Sequence, residues 1–212
     1  MNDETNHWAE AEAHLSAADP SLRALIERHA PCRLRPDENL FVGLLDAIVS
    51  QQLSVKASAT IFARFAALYD GSPLPEAVAE TPDEPLRACG LSRAKAAYVR
   101  DLADHVRDGR LELERMDALS DDDVIAELTA VKGIGRWTAE MILIFHLNRP
   151  DVLPVDDLGI REGFKRTYGL PERPGPEEMQ AIAEPWRPWR SVGSWYLWRA
   201  LDNEPMKQEA KP

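Results

Sequence analysis

Apolar side chains in this 212-residue chain recur at three- and four-residue intervals, and in no stretch do they alternate as a half-buried strand requires. In "FVGLLDAIVSQQL", Phe41, Leu44, Leu45, Ile48 and Val49 share one helical face. "SVKASATIFARFAALY" starts at a capping serine, Ser54, and repeats Ile61, Phe65 and Leu68. "SRAKAAYVRDLADHVRDG" runs from Ser92 to Gly109, a glycine placed for a left-handed helix end. Ser120 precedes Asp121, Asp122 and Asp123, acids that suit the positive end of a helix dipole. Further helices are predicted over Asp156–Tyr168, Pro176–Ala183 and Pro188–Leu201. The sixteen prolines fall mostly between these segments, where they separate short helices. The pattern predicts an all-α protein of about ten helices, with disorder confined to the termini.

The totals narrow the class further. An apolar content of 44% and a charged content of 29% are ordinary for a globular protein able to bury a core. The acidic start, "MNDETNHWAEAEAHL", has no apolar stretch and does not read as a signal peptide. The longest apolar run, Met141–Phe145, is too short to cross a bilayer. Cys32 and Cys89 are isolated, as in a reducing cytoplasm, and neither they nor the five histidines have metal-ligand spacing. A cytoplasmic protein with no membrane partner and no side-chain metal site is expected.

A net charge of −11 argues against a nucleic-acid partner until its distribution is examined. Residues 1–20 hold five acids and no Lys or Arg, residues 70–84 the same, and residues 112–127 hold seven acids against Arg115. These stretches sum to −16, which leaves +5 on the remainder. Its cations gather at Arg93, Lys95 and Arg100, at Lys132 and Arg136, at Arg161, Lys165 and Arg166, and at Arg187, Arg190 and Arg199. An acidic protein with a basic strip is the expectation.

"LTAVKGIGRWTAEM" sets a tight Gly133-Ile134-Gly135 turn between two helices. Both glycines can adopt backbone angles closed to other residues, and Ile134 can plug the turn into the core. Amides at the start of the second helix would face an anion along the helix dipole, so a nucleic-acid phosphate fits; a plain helix–helix connection is the rival reading.

These residues, followed by "VLPVDDLGIREGF", resemble the helix-hairpin-helix DNA glycosylase superfamily, and within it the alkylation-repair branch of 3-methyladenine DNA glycosylase II. "DAIVSQQLSVKASATIFARF", "GLSRAKAAYVRDLA" and "WRPWRSVGSWYLWRA" extend the resemblance from about Asn39 to Leu201. It implies two helical subdomains with the hairpin motif at their junction and no N-terminal β-domain. The central subdomain is expected over residues 38–146, ending in the hairpin motif at about 120–146, and the second over 1–37 with 147–212. It also implies DNA-backbone contacts from Lys132, Gly133, Ile134, Gly135, Arg136 and Thr138.

By position, the resemblance assigns the catalytic carboxylate to Asp157, with Ile160 as a packed anchor and Asp156 as cap or supporting partner. A one-residue slip would exchange the two acids, so Asp156 stands in reserve. An aspartate at a helix start is by itself more often an N-cap. Trp137 and Trp198 match positions lining the base pocket, with Met141 where the branch has a tyrosine; Trp8, Trp186, Trp189 and Trp195 are read as packing. The wedge filling the vacated base stack matches Gln52, with Leu53 beside it. Bifunctional relatives carry a lysine at the position of Trp137, and the iron–sulfur cysteines of some relatives are missing. A monofunctional glycosylase is thus implied, acting as a monomer on alkylated purines in double-stranded DNA, at the nucleoid if the source is bacterial. No cofactor is expected beyond a monovalent cation that hairpin carbonyls could hold. A non-catalytic lesion-binding protein and a helical scaffold with only a turn at the hairpin are the competing readings.

Overall fold

The computed structural model describes residues 7–36 and 39–202. The expected terminal disorder, and residues 37 and 38 where the sequence placed a subdomain boundary, lie outside them. Twelve α-helices and no strand occur among the described residues. In chain order they are α1 (Ala9–Ala18), α2 (Pro20–His29), α3 (Leu40–Ser50), α4 (Val55–Ala67), α5 (Pro75–Glu80), α6 (Asp83–Ala88), α7 (Arg93–Arg107), α8 (Asp121–Thr129), α9 (Arg136–Phe145), α10 (Leu158–Tyr168), α11 (Pro176–Ala183) and α12 (Arg190–Asp202). Serines cap the helices as expected: Ser54, Ser92 and Ser120 accept from the amides of Ala57, Lys95 and Asp123. Gly109 lies just past the end of α7 with φ +69°. The sequence periods gave no warning of α1, α2, α5 and α6, each of ten residues or fewer.

The chain divides into two compact units, residues 36–147 and residues 1–35 with 148–212. In the contiguous unit, α3 packs on α4, α7 and α9, and α5 packs on α7. All five apolar residues of the expected α3 face are buried. On α4 the same pattern is weaker: Phe65 is buried, whereas Leu68 is 42% exposed because it lies past the last helical turn. A Cβ on Gly43 would sit 2.1 Å from the His146 ring, so α3 passes directly over the end of α9.

In the other unit, α12 packs on α10 and α2, while α1 packs on α2. Two buried acids tie its chain segments together. Asp19 caps α2 through the amides of Ser21 and Leu22, and accepts from Tyr168 Oη at 2.5 Å and Trp186 Nε1 at 3.0 Å. Glu12 accepts from the Cys32 amide at 2.7 Å and Tyr196 Oη at 2.6 Å. Burial, then the adjacent carboxylates, push both phenols well above their ordinary range, which keeps them as donors. Trp8, Trp186 and Trp195 are packing residues as expected, and Trp189 is half-buried.

Candidate active site

The hairpin begins where α8 runs out. Ala130 closes the helix, and the Ile134 amide donates to Val131 O at 3.2 Å. Gly133 has φ +87°, and a Cβ there would stand 2.3 Å from Tyr98 Cδ2 of α7. Glycine is therefore required at 133 by angle and by space. Gly135 differs from the expectation: it has φ −98° and ψ 173°, extended backbone open to any residue, and among the described residues no atom beyond its chain neighbours lies within 4 Å of a Cβ. It is the N-cap of α9 and offers no side-chain cap to the amides that follow. Ile134 plugs into the core at 4% exposure, and Thr138 is buried, so at both positions only backbone remains for a ligand. Trp137 projects at 43% exposure, and Met141, one turn on, is half-buried.

The hairpin cations are not spare. The Lys132 ammonium pairs with Asp101 at 3.2 Å, and its amide donates to the same carboxylate at 2.9 Å. Burial pushes the Asp101 carboxyl up, but the two Lys132 donors, with His105 alongside, outweigh it and hold the group below its ordinary value. Arg136 pairs with buried Glu140 at 3.0 Å. The same correction holds for much of the basic strip. Arg100 pairs with Asp83, Arg161 with Asp156, Arg166 with Glu162, and Arg187 and Arg190 with Asp151. These acids lie outside the three acidic stretches that the charge count set aside, Asp83 excepted, and their partners were not visible in it.

In the same unit, α3 ends at Ser50 and leads into Gln51, Gln52 and Leu53 before Ser54 opens α4. Gln52 is exposed and holds φ +57°, while Leu53 is 38% exposed. Gln51 Nε2 donates to Gly133 O at 2.7 Å, so this loop and the hairpin are joined directly.

The two aspartates lie in the discontinuous unit. Asp157 is the N-cap of α10, its Oδ1 accepting from the Ile160 amide at 2.7 Å. The same oxygen accepts from Trp198 Nε1 at 2.9 Å, and the residue is half-buried. Ile160 is fully buried, which anchors the turn. Of the two roles that the sequence reading left open for Asp156, cap or supporting partner, the cap belongs instead to Asp157; Asp156 is exposed and faces Arg161 at 3.4 Å. Trp198, expected only as pocket lining, is also a donor to the carboxylate.

Sequence reasoning missed why α10 and α12 approach so closely. A Cβ on Gly159 would lie 3.0 Å from Asp157 Oδ1 and 3.1 Å from the Trp198 ring, and one on Gly163 would lie 2.9 Å from Leu197 Cβ. Two glycines four apart on one helix face were the available signal. Among the described residues no group of His, Cys, Asp or Glu could hold a metal ion, and no helix is long and apolar enough to cross a membrane.

The sequence and the all-helical fold have counterparts among known proteins. Residues 45–188 match the model of the HhH-GPD superfamily of base excision DNA repair proteins. A DNA-3-methyladenine glycosylase of Schizosaccharomyces pombe is 37% identical over 195 residues, 89% of this chain and 86% of that protein. Among solved structures, an S. pombe 3-methyladenine DNA glycosylase in complex with abasic DNA superposes with TM-score 0.82 at 37% identity, covering 92% of this chain and 97% of that one. A DNA-3-methyladenine glycosidase of Bacillus halodurans gives TM-score 0.83 at 36% identity, covering 96% and 92%. With the family model spanning both the hairpin and Asp157, this chain belongs to the HhH-GPD superfamily of base excision DNA repair proteins.

Proposed function

We propose that this protein is a monofunctional DNA glycosylase that hydrolyses the N-glycosidic bond of alkylated purines, 3-methyladenine and 7-methylguanine foremost, in double-stranded DNA. The observation that carries the reading is the Asp157 carboxylate, fixed through one oxygen by the Ile160 amide and the Trp198 indole. An N3- or N7-alkylated purine is already cationic, so its bond to deoxyribose is weak and the electron pair leaves with the base without strong acid assistance. Cationic character then develops at C1′, where a fixed carboxylate stabilises it. Water adds to C1′ and loses a proton, to Asp157 or to solvent, leaving an abasic sugar. Asp156, exposed and paired with Arg161, remains the reserve candidate.

The remaining roles follow from the same chemistry. Trp137, Met141 and Trp198 would line the base pocket, where an indole face attracts a cationic base by about 0.5–2 kcal/mol. Gln52 and Leu53 would fill the vacated stack. The amides of the α9 first turn, opened by Gly135, would clamp a phosphate, with Lys132, Gly133, Ile134, Arg136 and Thr138 around them. Trp137 takes the place of a lysine nucleophile, so no strand cleavage accompanies base release. A monomer acting within the DNA-bearing compartment completes the reading.

The test is to incubate pure protein with a methylated duplex and analyse the freed bases and strand breaks. Wild type should release methylated purines and leave sites cleaved only by alkali; nicking without alkali overturns the monofunctional assignment. Asn caps a helix as well as Asp does, so Asp157→Asn should keep the fold while base release drops by roughly 10²–10³-fold. The cap role of Asp157 favours one rival, a lesion-binding protein without catalysis. In that case wild type frees no base and Asp157→Asn leaves DNA affinity intact.

A further inference from the structure

We infer that Lys95 is a positioning residue for base extrusion, locking the loop at Gln51–Leu53 to the hairpin so that gripping the backbone and displacing the base become one rigid action. This rests on the proposed role of that loop. The last turn of α3 contains no basic residue, although its terminal carbonyls need donors. Lys95, from the first turn of α7, supplies them: Nζ donates to Val49 O at 2.8 Å and to Gln51 O at 2.7 Å. These two carbonyls flank the point where the chain leaves the helix. They fix the peptide planes leading into Gln52, which holds φ +57° without being glycine. A left-handed non-glycine residue persists only when its surroundings over-determine it. A Ser50–Leu53 turn, closed by the Leu53 amide donating to Ser50 O at 3.2 Å, sets that angle, and Lys95 pins the turn through the Val49 and Gln51 carbonyls, so that Gln52 and Leu53 project outward in a single arrangement.

The same helix meets the hairpin at two further points spaced three residues apart. The Tyr98 ring lies against Gly133, and Asp101 holds the Lys132 amide and ammonium. Gln51 closes the circuit by donating to Gly133 O. Thus the N-terminal half of α7 is a strut that holds the extrusion loop at Lys95 and the hairpin at Tyr98 and Asp101. None of the sequence separations involved is short: 44 residues for Lys95 to Gln51, and 82 for Gln51 to Gly133.

The experiment compares one alkylated purine in two duplexes, fully paired and opposite an abasic analogue where pairing is already lost. Wild-type release from both establishes the glycosylase reading independently of Lys95. Lys95→Met keeps the aliphatic stem and removes the donor. It should slow release from the paired duplex by about tenfold to a hundredfold, the scale expected when a reacting group is misplaced. Release from the unpaired lesion should change far less, and Lys95→Arg should recover most of the loss. Gln51→Met, which cuts the loop–hairpin bond while leaving Lys95 in place, should show the same selective loss and serves if Lys95→Met does not fold. Equal loss on both duplexes, or no loss on the paired one, for whichever variant folds overturns the inference. If wild type frees no base, the glycosylase reading fails instead. The strut is then judged by 2-aminopurine fluorescence beside the lesion, where Lys95→Met should unstack the probe less than wild type and equal unstacking overturns it.

Discussion

Replacing each hairpin glycine by alanine separates what the fold needs from what the proposed DNA contact needs. At Gly133, φ is +87°, which costs an L-residue about 1–2 kcal/mol. The new Cβ would also stand 2.3 Å from Tyr98 Cδ2, well inside contact distance, adding about 1–3 kcal/mol of overpacking. Gly133→Ala should therefore lower stability by about 2–5 kcal/mol. At Gly135 neither penalty exists, because φ is −98° and no described atom beyond the chain neighbours lies within 4 Å of the added methyl. Alanine caps a helix less well than glycine but narrows the unfolded ensemble, so the net change should stay within about 0.5 kcal/mol. Nothing among the described residues demands glycine there; under the proposed function the methyl would instead stand where a phosphate approaches the α9 amides. Loss of one charge-assisted bond of about 1.5–3 kcal/mol corresponds to roughly 10–150-fold in affinity. Urea denaturation gives the stabilities, and fluorescence anisotropy with a duplex holding an abasic analogue, at one fixed salt concentration, gives the affinities. A Gly135→Ala protein that binds as tightly as wild type, or that loses more than about 1 kcal/mol of stability, would refute the reasoning.

Other perturbations address the carboxylate and its supports. Trp198→Phe keeps an aromatic face but deletes the donor to Asp157 Oδ1, so base release should fall by about tenfold in single-turnover assays, with little change in binding to abasic duplex. Gly159→Ala presses a methyl to 3.0 Å from that same oxygen and 3.1 Å from the Trp198 ring, so it should cost about 1–3 kcal/mol of stability and slow base release at least as much as Trp198→Phe does. Unchanged release would count against a tuned carboxylate position. The Asp101 carboxyl is held below its unfolded value, so its stabilisation is present above a pH of about 4 and disappears as pH falls through the folded value. Asp101→Asn should flatten the acid limb of stability below that pH, and identical acid limbs would exclude the Lys132 pairing as its source. Burial pushes the Cys32 thiol up to about 12, so it should resist thiol reagents at pH 8 until the protein is unfolded.

How far the sequence reaches depends on the range of the interaction. Helix starts at Ser54, Ser92 and Ser120 were legible because a cap bonds three residues ahead. The buried α3 face was legible because periodicity reports burial directly. The hairpin was located by its own glycines and the two aspartates and Trp198 by resemblance, but their bonds were not. That Asp157 rather than Asp156 caps α10 turns on a single register step. The Trp198 bond to Asp157 spans 41 residues and exists only because Gly159 and Gly163 let α12 close in. The internal pairing of Lys132 and Arg136 was hidden for the same reason: a charge count sees the cations and not the acids opposite them.

The division of the chain has a consequence for how the protein comes into being on the ribosome. Residues 36–147 are continuous and hold their own core, so they can condense as soon as they emerge. Residues 7–35 cannot, because α1 and α2 find their partners in α12, and Glu12 and Asp19 find theirs in Tyr196, Tyr168 and Trp186. The opening segment must wait, with Trp8, Leu15 and Leu22 uncovered, until translation reaches the last helix. A nascent chain stalled after α9 would then display a finished hairpin, while the segment bearing Asp157 had yet to be made.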